Sequence, residues 1–158
     1  MLLTTMTSTA IIWPEPGVTG SYILWFDLQA PLVVVVNRLG RLHLAAGCWA
    51  YVGSAQGPGG LRARVQRHLQ PAERRHWHID SVTGVCPPSA VSFVESTQRQ
   101  ECTLVQALLA AGAAAPIAGF GSSDCRQGCP AHLLHWPASL PETIAWAKAF
   151  DFWEKSNA

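Results

Sequence analysis

Two tyrosines, an arginine and a histidine stand out because, brought together, they could cut a phosphodiester. Tyr51 lies in an apolar, β-like run, Tyr51-Val52-Gly53-Ser54-Ala55. A flexible turn follows, Gln56-Gly57-Pro58-Gly59-Gly60, and then a helical stretch, Leu61-Arg62-Ala63-Arg64-Val65-Gln66-Arg67-His68. A strand–loop–helix turn would gather the phenol of Tyr51, the guanidinium of Arg64 and the imidazole of His68. Such a group can deprotonate a nucleophile and hold a phosphate. The chain has one other tyrosine, Tyr22, upstream in Gly20-Ser21-Tyr22-Ile23-Leu24. A phenol titrates near ~10, so it acts as a base only where a cation or metal lowers the cost of ionising it. Taken alone, each tyrosine reads as a core aromatic with a hydrogen-bonded hydroxyl.

Cations cluster around this segment. The formal net charge is only +1, so the total makes no claim on nucleic acid. Yet Arg62, Arg64, Arg67, Arg74 and Arg75 fall close together, with His68, His76 and His78 among them. Arginine presents a planar fork that matches phosphate oxygens. The competing reading is a solvated helix face. Arg62 and Arg67 are at most backbone clamps on a nucleic acid.

The order of these motifs resembles the GIY-YIG nuclease superfamily. Gly-x-Tyr at Tyr22, Tyr-Val-Gly at Tyr51, and Arg64 four residues before His68 carry the likeness. Downstream, His76-Trp77-His78-Ile79-Asp80, then Glu101-Cys102-Thr103-Leu104, then Gly119-Phe120-Gly121-Ser122-Ser123-Asp124-Cys125 follow in one order. That order is similar to a compact subgroup found alone or fused to endonuclease-III-type DNA glycosylases. The likeness runs from about Gly20 to about Trp136, most of the chain.

The resemblance implies a small, mostly antiparallel sheet flanked by helices, and a metal-dependent endonuclease acting on DNA, in repair. It implies Tyr22 and Tyr51 near the attacking water, Arg64 at the scissile phosphate, His68 as a further catalytic residue, and Glu101 as the single carboxylate ligand of one Mg²⁺ or Mn²⁺. Magnesium accepts one carboxylate plus waters and substrate oxygens, so a lone Glu101 suffices chemically. Without the resemblance, Glu101 is a first-turn glutamate favoured by the helix dipole. His76 and His78 become candidate DNA contacts, although Ser81 stands where the subgroup carries a tyrosine. Superfamily members often carry a late asparagine, for which this chain offers Ser123 or Asp124. The alternative function is a non-catalytic nucleic-acid-binding module on the same fold. A zinc-stabilised interaction domain is more remote.

Cys125-x3-Cys129-x2-His132-x2-His135 has metal-binding residue types. The spacing is compressed, and a strand would aim His132 and His135 to opposite faces. No zinc site is expected from this segment.

The elements that must position these groups are those of one domain. With 158 residues, 49% hydrophobic and 13% charged, the chain can bury a sizeable core. Five cysteines, an odd number without the spacing of a secreted scaffold, fit a reducing cytoplasm. No apolar run is long enough to cross a bilayer, and a monomer is assumed. Residues 1–17, with Pro14 and Pro16, read as a poorly ordered lead, and 18–158 as the domain. Strands are expected over 21–28, 32–36, 41–44, 48–52, 90–95 and 132–136, the first four as an antiparallel meander. Helices are expected over 61–69, 98–111 and 141–153, with a short one over 76–82. Leu61, Val65 and Leu69 mark the inner face of the first.

Overall fold

The computed structural model describes residues 2–5, 13–70, 76–123 and 125–137. The fold is α+β. Its elements are β1 (Leu2–Thr5), β2 (Gly20–Leu28), β3 (Leu32–Val36), β4 (Gly40–Leu44), β5 (Gly47–Ala55), α1 (Gly60–Leu69), α2 (Asp80–Thr83), β6 (Ala90–Glu95), α3 (Glu101–Ala110) and β7 (Leu133–Trp136). The expected C-terminal helix over 141–153, and Arg74, Arg75 and Asp124, lie outside the described residues.

Five strands form one antiparallel sheet in the order β1-β6-β2-β5-β7. Its middle strands, β2 and β5, are buried on both faces, which is why their sequences are nearly continuous apolar runs rather than alternating ones. Tyr22, Leu24, Phe26, Trp49 and Tyr51 point into one core with Leu61 and Val65 of α1. Ile23, Trp25, Ala50 and Val52 point into a second core with Leu104, Val105 and Leu108 of α3. The sheet is therefore covered on both faces, with α1 and α3 on opposite sides.

One expectation is corrected. The four early strands do not make one meander. β3 and β4 form a separate two-stranded hairpin inserted between β2 and β5, which pair directly. The alternating burial of β3 explains this, since Val33 and Val35 are exposed while Val34 and Val36 are buried, as for a hairpin packed on one side only. Within residues 1–17, the described ones are 2–5 and 13–17. Leu2–Thr5 pairs with β6, satisfying backbone groups along an edge that would otherwise be open. Trp13 packs against Phe93, with ring centroids 5.9 Å apart.

The entry to α1 is fixed by backbone geometry. Gly60 has φ +62°, and a Cβ there would collide with the backbone of Val18. Leu61 N–H donates to Val18 O at 2.8 Å, which ties the strand entering β2 to the first turn of α1. Within α1 the inner face is Leu61, Val65 and His68; Leu69 is only half-buried. Seven residues along a helix return to within about 20° of the starting direction, so His68 lies under Leu61 and is carried inward.

Candidate active site and a sulfur-rich cluster

Strand register places the tyrosines. Tyr22 pairs with Gly53 and Leu24 with Tyr51, so Tyr22 and Tyr51 are diagonal neighbours on one face of the sheet. The Tyr22 ring lies across Gly53, where any Cβ would collide with it. Gly121 does the same for Tyr51: it has φ +70°, and a Cβ there would come 2.8 Å from the Tyr51 ring. Both tyrosines are buried, at 1% and 6% exposure, rather than lying on an open surface.

His68 joins them from above. Its Nε2 is 2.8 Å from the Tyr22 hydroxyl, and its ring lies 6.3 Å from that of Tyr51. On the other side, His68 Nδ1 is 3.9 Å from Asp80 Oδ1, beyond hydrogen-bond range, and has no other partner. Asp80 is held by its second oxygen, which accepts the backbone N–H groups of His76 and Trp77. A proton on Nδ1 faces the carboxylate, which leaves Nε2 to accept from the Tyr22 O–H. Burial, reinforced by Arg64 and Arg67 and only partly opposed by Asp80, lowers the His68 pKa from 6.5 to about 4. At neutral pH the imidazole is uncharged. Burial raises both phenols well above their ordinary value; Arg64 opposes this at each, and Glu101 adds to it. Both hydroxyls therefore carry their protons in the free protein.

Arg64 is half-buried. Its Nη1 donates to Ser54 O at 3.2 Å, and its guanidinium sits 4.6 Å from the centre of the Trp77 ring. Arg67 also lies on Trp77, at 4.2 Å. Stacking on an indole holds a guanidinium while leaving its N–H edge free to donate. Arg64, Arg67, Gly57 and Gly60 line a cleft of about 280 Å³ with His76 and Trp77. A larger cleft of about 740 Å³ shares His76 and Trp77 and extends past His78 and Ser123 to the β3–β4 turn. Arg62 lines neither cleft, and its Nε donates to Pro14 O at 2.9 Å. His78 Nδ1 accepts the Gly121 N–H at 2.9 Å, which secures the glycine that Tyr51 needs.

Glu101 begins α3, with its side chain 16% exposed and 3.6 Å from Arg99. Its charge acts on both tyrosines, so it belongs to the same electrostatic neighbourhood. A single, partly exposed carboxylate suits a hard divalent ion that keeps most of its waters.

A different donor set lies one residue along the helix. Cys102, Cys125, Cys129 and His132 bring one ligand atom each to within 4.8 Å of one another, a cluster that could hold a metal ion. The expectation of no such site rested on one segment and paired His132 with His135. His135 instead sits over Trp49, with Nε2 at 3.0 Å from Ala46 O. The fourth ligand comes from α3, where Cys102 reads in the sequence as one more apolar-face residue. Burial raises the Cys102 and Cys129 thiols. Burial also acts upward on Cys125, but the N–H groups of Cys129 and Gln127, with His132 and Cys102, outweigh it and draw the thiol down to about 6.

Asp80 and Trp77 carry the site's geometry without having been singled out as site residues. Both stand inside His76-Trp77-His78-Ile79-Asp80; an aspartate following an Arg- and His-rich stretch was the available signal.

The family model described as domain of unknown function DUF123 matches residues 21–151, and the chain belongs to that family. No curated protein matches, and no solved structure matches. No described helix is long and apolar enough to cross a membrane.

Proposed function

We propose that this chain is a metal-dependent endonuclease that hydrolyses phosphodiester bonds in DNA, with Tyr22, Tyr51, Arg64, His68 and Glu101 as its working set. The resemblance to GIY-YIG nucleases supports the reading. The observation that carries it is the Tyr22–His68 hydrogen bond of 2.8 Å beside an Arg64 already stacked and oriented at the cleft.

In this mechanism Arg64 binds a non-bridging phosphate oxygen and stabilises the charge that grows on it. Arg67 and the loop amides hold flanking phosphates. Glu101 would hold a divalent ion, which would supply further charge neutralisation on the phosphate. Water attacks phosphorus as the bond to the leaving oxygen breaks, and that oxygen takes up a proton from solvent water. The water's proton passes to the Tyr22 oxygen while the Tyr22 proton passes to His68 Nε2. Tyr22 never has to exist as a free phenolate, which its burial disfavours. The imidazolium formed faces Asp80. Both tyrosines are buried in the free chain and neither lines the 280 Å³ cleft, so this mechanism requires DNA binding to expose Tyr22.

Those same buried hydroxyls favour the second reading, a nucleic-acid-binding module without cleavage. Purified protein incubated with branched, nicked, abasic and linear DNA and with RNA, in magnesium, manganese or chelator, separates the two. Metal-dependent nicking of DNA supports the enzyme. Binding without cleavage across the panel supports the module.

A further inference from the structure

We propose that Cys102, Cys125, Cys129 and His132 form a closed, structural zinc site that fastens the first turn of α3 to the 125–132 loop and the start of β7. The cluster lies on the opposite face of the sheet from Tyr22 and His68, so it does not depend on the nuclease reading.

The donor chemistry decides the ion. Three thiols and an imidazole are soft or borderline ligands that suit zinc and do not suit magnesium, calcium or manganese. Four such ligands complete a tetrahedron, as structural zinc sites do, and leave no position for a substrate. Zn–S bonds of about 2.3 Å at the tetrahedral angle put sulfurs about 3.8 Å apart. Cys102 and Cys125 Sγ atoms are 3.5 Å apart, and all four ligand atoms fall within 4.8 Å. The three cysteines are free thiols, so no disulfide accounts for their convergence.

The surroundings are also those of a structural site. Cys102, Cys129 and His132 are buried, at 8%, 8% and 5% exposure, and Cys125 is half-buried. One His132 ring nitrogen lies in the cluster, and Nε2 has no hydrogen-bond partner in the protein. The His132 backbone is fixed at both ends: its N–H donates to Phe120 O at 2.8 Å, and its carbonyl accepts Val52 N–H at 2.9 Å. Among the described residues from Pro116 to Pro130 there is no helix or strand, so little regular hydrogen bonding holds this loop. Ligation at Cys125 and Cys129 would supply what secondary structure does not. Zinc binding displaces thiol protons to solvent as the thiolates coordinate, with no change in oxidation state.

The test uses the full chain purified without chelator and without added zinc. Elemental analysis should give about one zinc per chain. Replacing zinc with Co²⁺ should produce an intense near-ultraviolet thiolate-to-cobalt band and the visible bands of tetrahedral cobalt. Cys125→Ser with Cys129→Ser should lose the metal, whereas Cys86→Ser, outside the cluster, should retain it. Stripping zinc should lower the melting temperature, and Zn²⁺ should restore it where Mg²⁺ does not. The wild-type cobalt spectrum stands even if the double variant fails to fold. Well under one equivalent of metal, a cobalt spectrum without thiolate bands, stoichiometric metal in the folded double variant, or a disulfide joining two of these cysteines would overturn the proposal.

Discussion

Tyr22 and His68 meet in a 2.8 Å hydrogen bond, although one is near the start of the central strand and the other near the end of the helix above it. The contact exists because the 3.6-residue helical period turns His68 inward with Leu61 and Val65, and because Gly53 leaves the Tyr22 ring room to lie flat. Tyr22→Phe removes the donor and leaves His68 Nε2 buried without a partner. Stability should fall by about 1–3 kcal/mol, measured by denaturant unfolding, and cleavage should be lost. An unchanged midpoint would mean that the bond contributes nothing in solution.

His68 also sets an acid limit on stability. Its folded pKa, about 4, lies below its ordinary 6.5, so the unfolded chain binds the proton more readily. The stabilisation is fully present above 6.5 and is lost as pH falls toward 4. The loss should be on the order of a few kcal/mol. Unfolding free energies measured across that window should decline with acid in the wild type and decline less in His68→Gln. Equal slopes would place the acid sensitivity in other groups.

Much of this architecture was legible in the chain. Continuous apolar runs marked β2, β3, β5 and β6, and the two longer helices were marked by their apolar spacing and by Gly112. What escaped the sequence was tertiary. Nothing in Leu32–Leu44 said that its hairpin would leave the main sheet, because a half-buried strand has the same composition in either place. Asp80 gains its role only when α2 packs beside α1. Cys102 joins the Cys/His cluster only because α3 and the loop before β7 cover the same sheet face, far apart in sequence. The inward turn of His68 could have been read, since seven residues from Leu61 is closer to its direction than eight.

Gly121 offers a purely conformational test. Gly121→Ala puts a side chain at a left-handed φ and drives its Cβ into the Tyr51 ring. The variant should lose about 1–3 kcal/mol from overpacking and strain together, with an unchanged denaturant slope. Gly128→Ala shares a positive φ but meets open space, and should lose less. If the two variants unfold alike, the Tyr51 contact is not the cause.

Trp77 holds Arg64 and Arg67 on its ring, at 4.6 Å and 4.2 Å. Trp77→Ala should slow single-turnover cleavage more than it weakens DNA binding, because Arg64 would no longer be aimed. Trp77→Phe, which keeps a ring face, should recover part of the rate. A variant pair with equal rates and equal affinities would remove Trp77 as a positioning residue.

The most direct measurement compares single-turnover cleavage of one DNA substrate, with magnesium or manganese, by wild type, Arg64→Ala and Arg62→Ala, alongside equilibrium binding and thermal melts. Wild type should cleave, and chelator should stop it. Arg64→Ala should lose about 10²–10³ in rate while it stays folded and binds DNA only modestly less well. Arg62→Ala, whose side chain serves Pro14, should retain most activity. Cleavage by Arg64→Ala at the wild-type rate, or no cleavage by wild type on any substrate of the panel, would contradict the account.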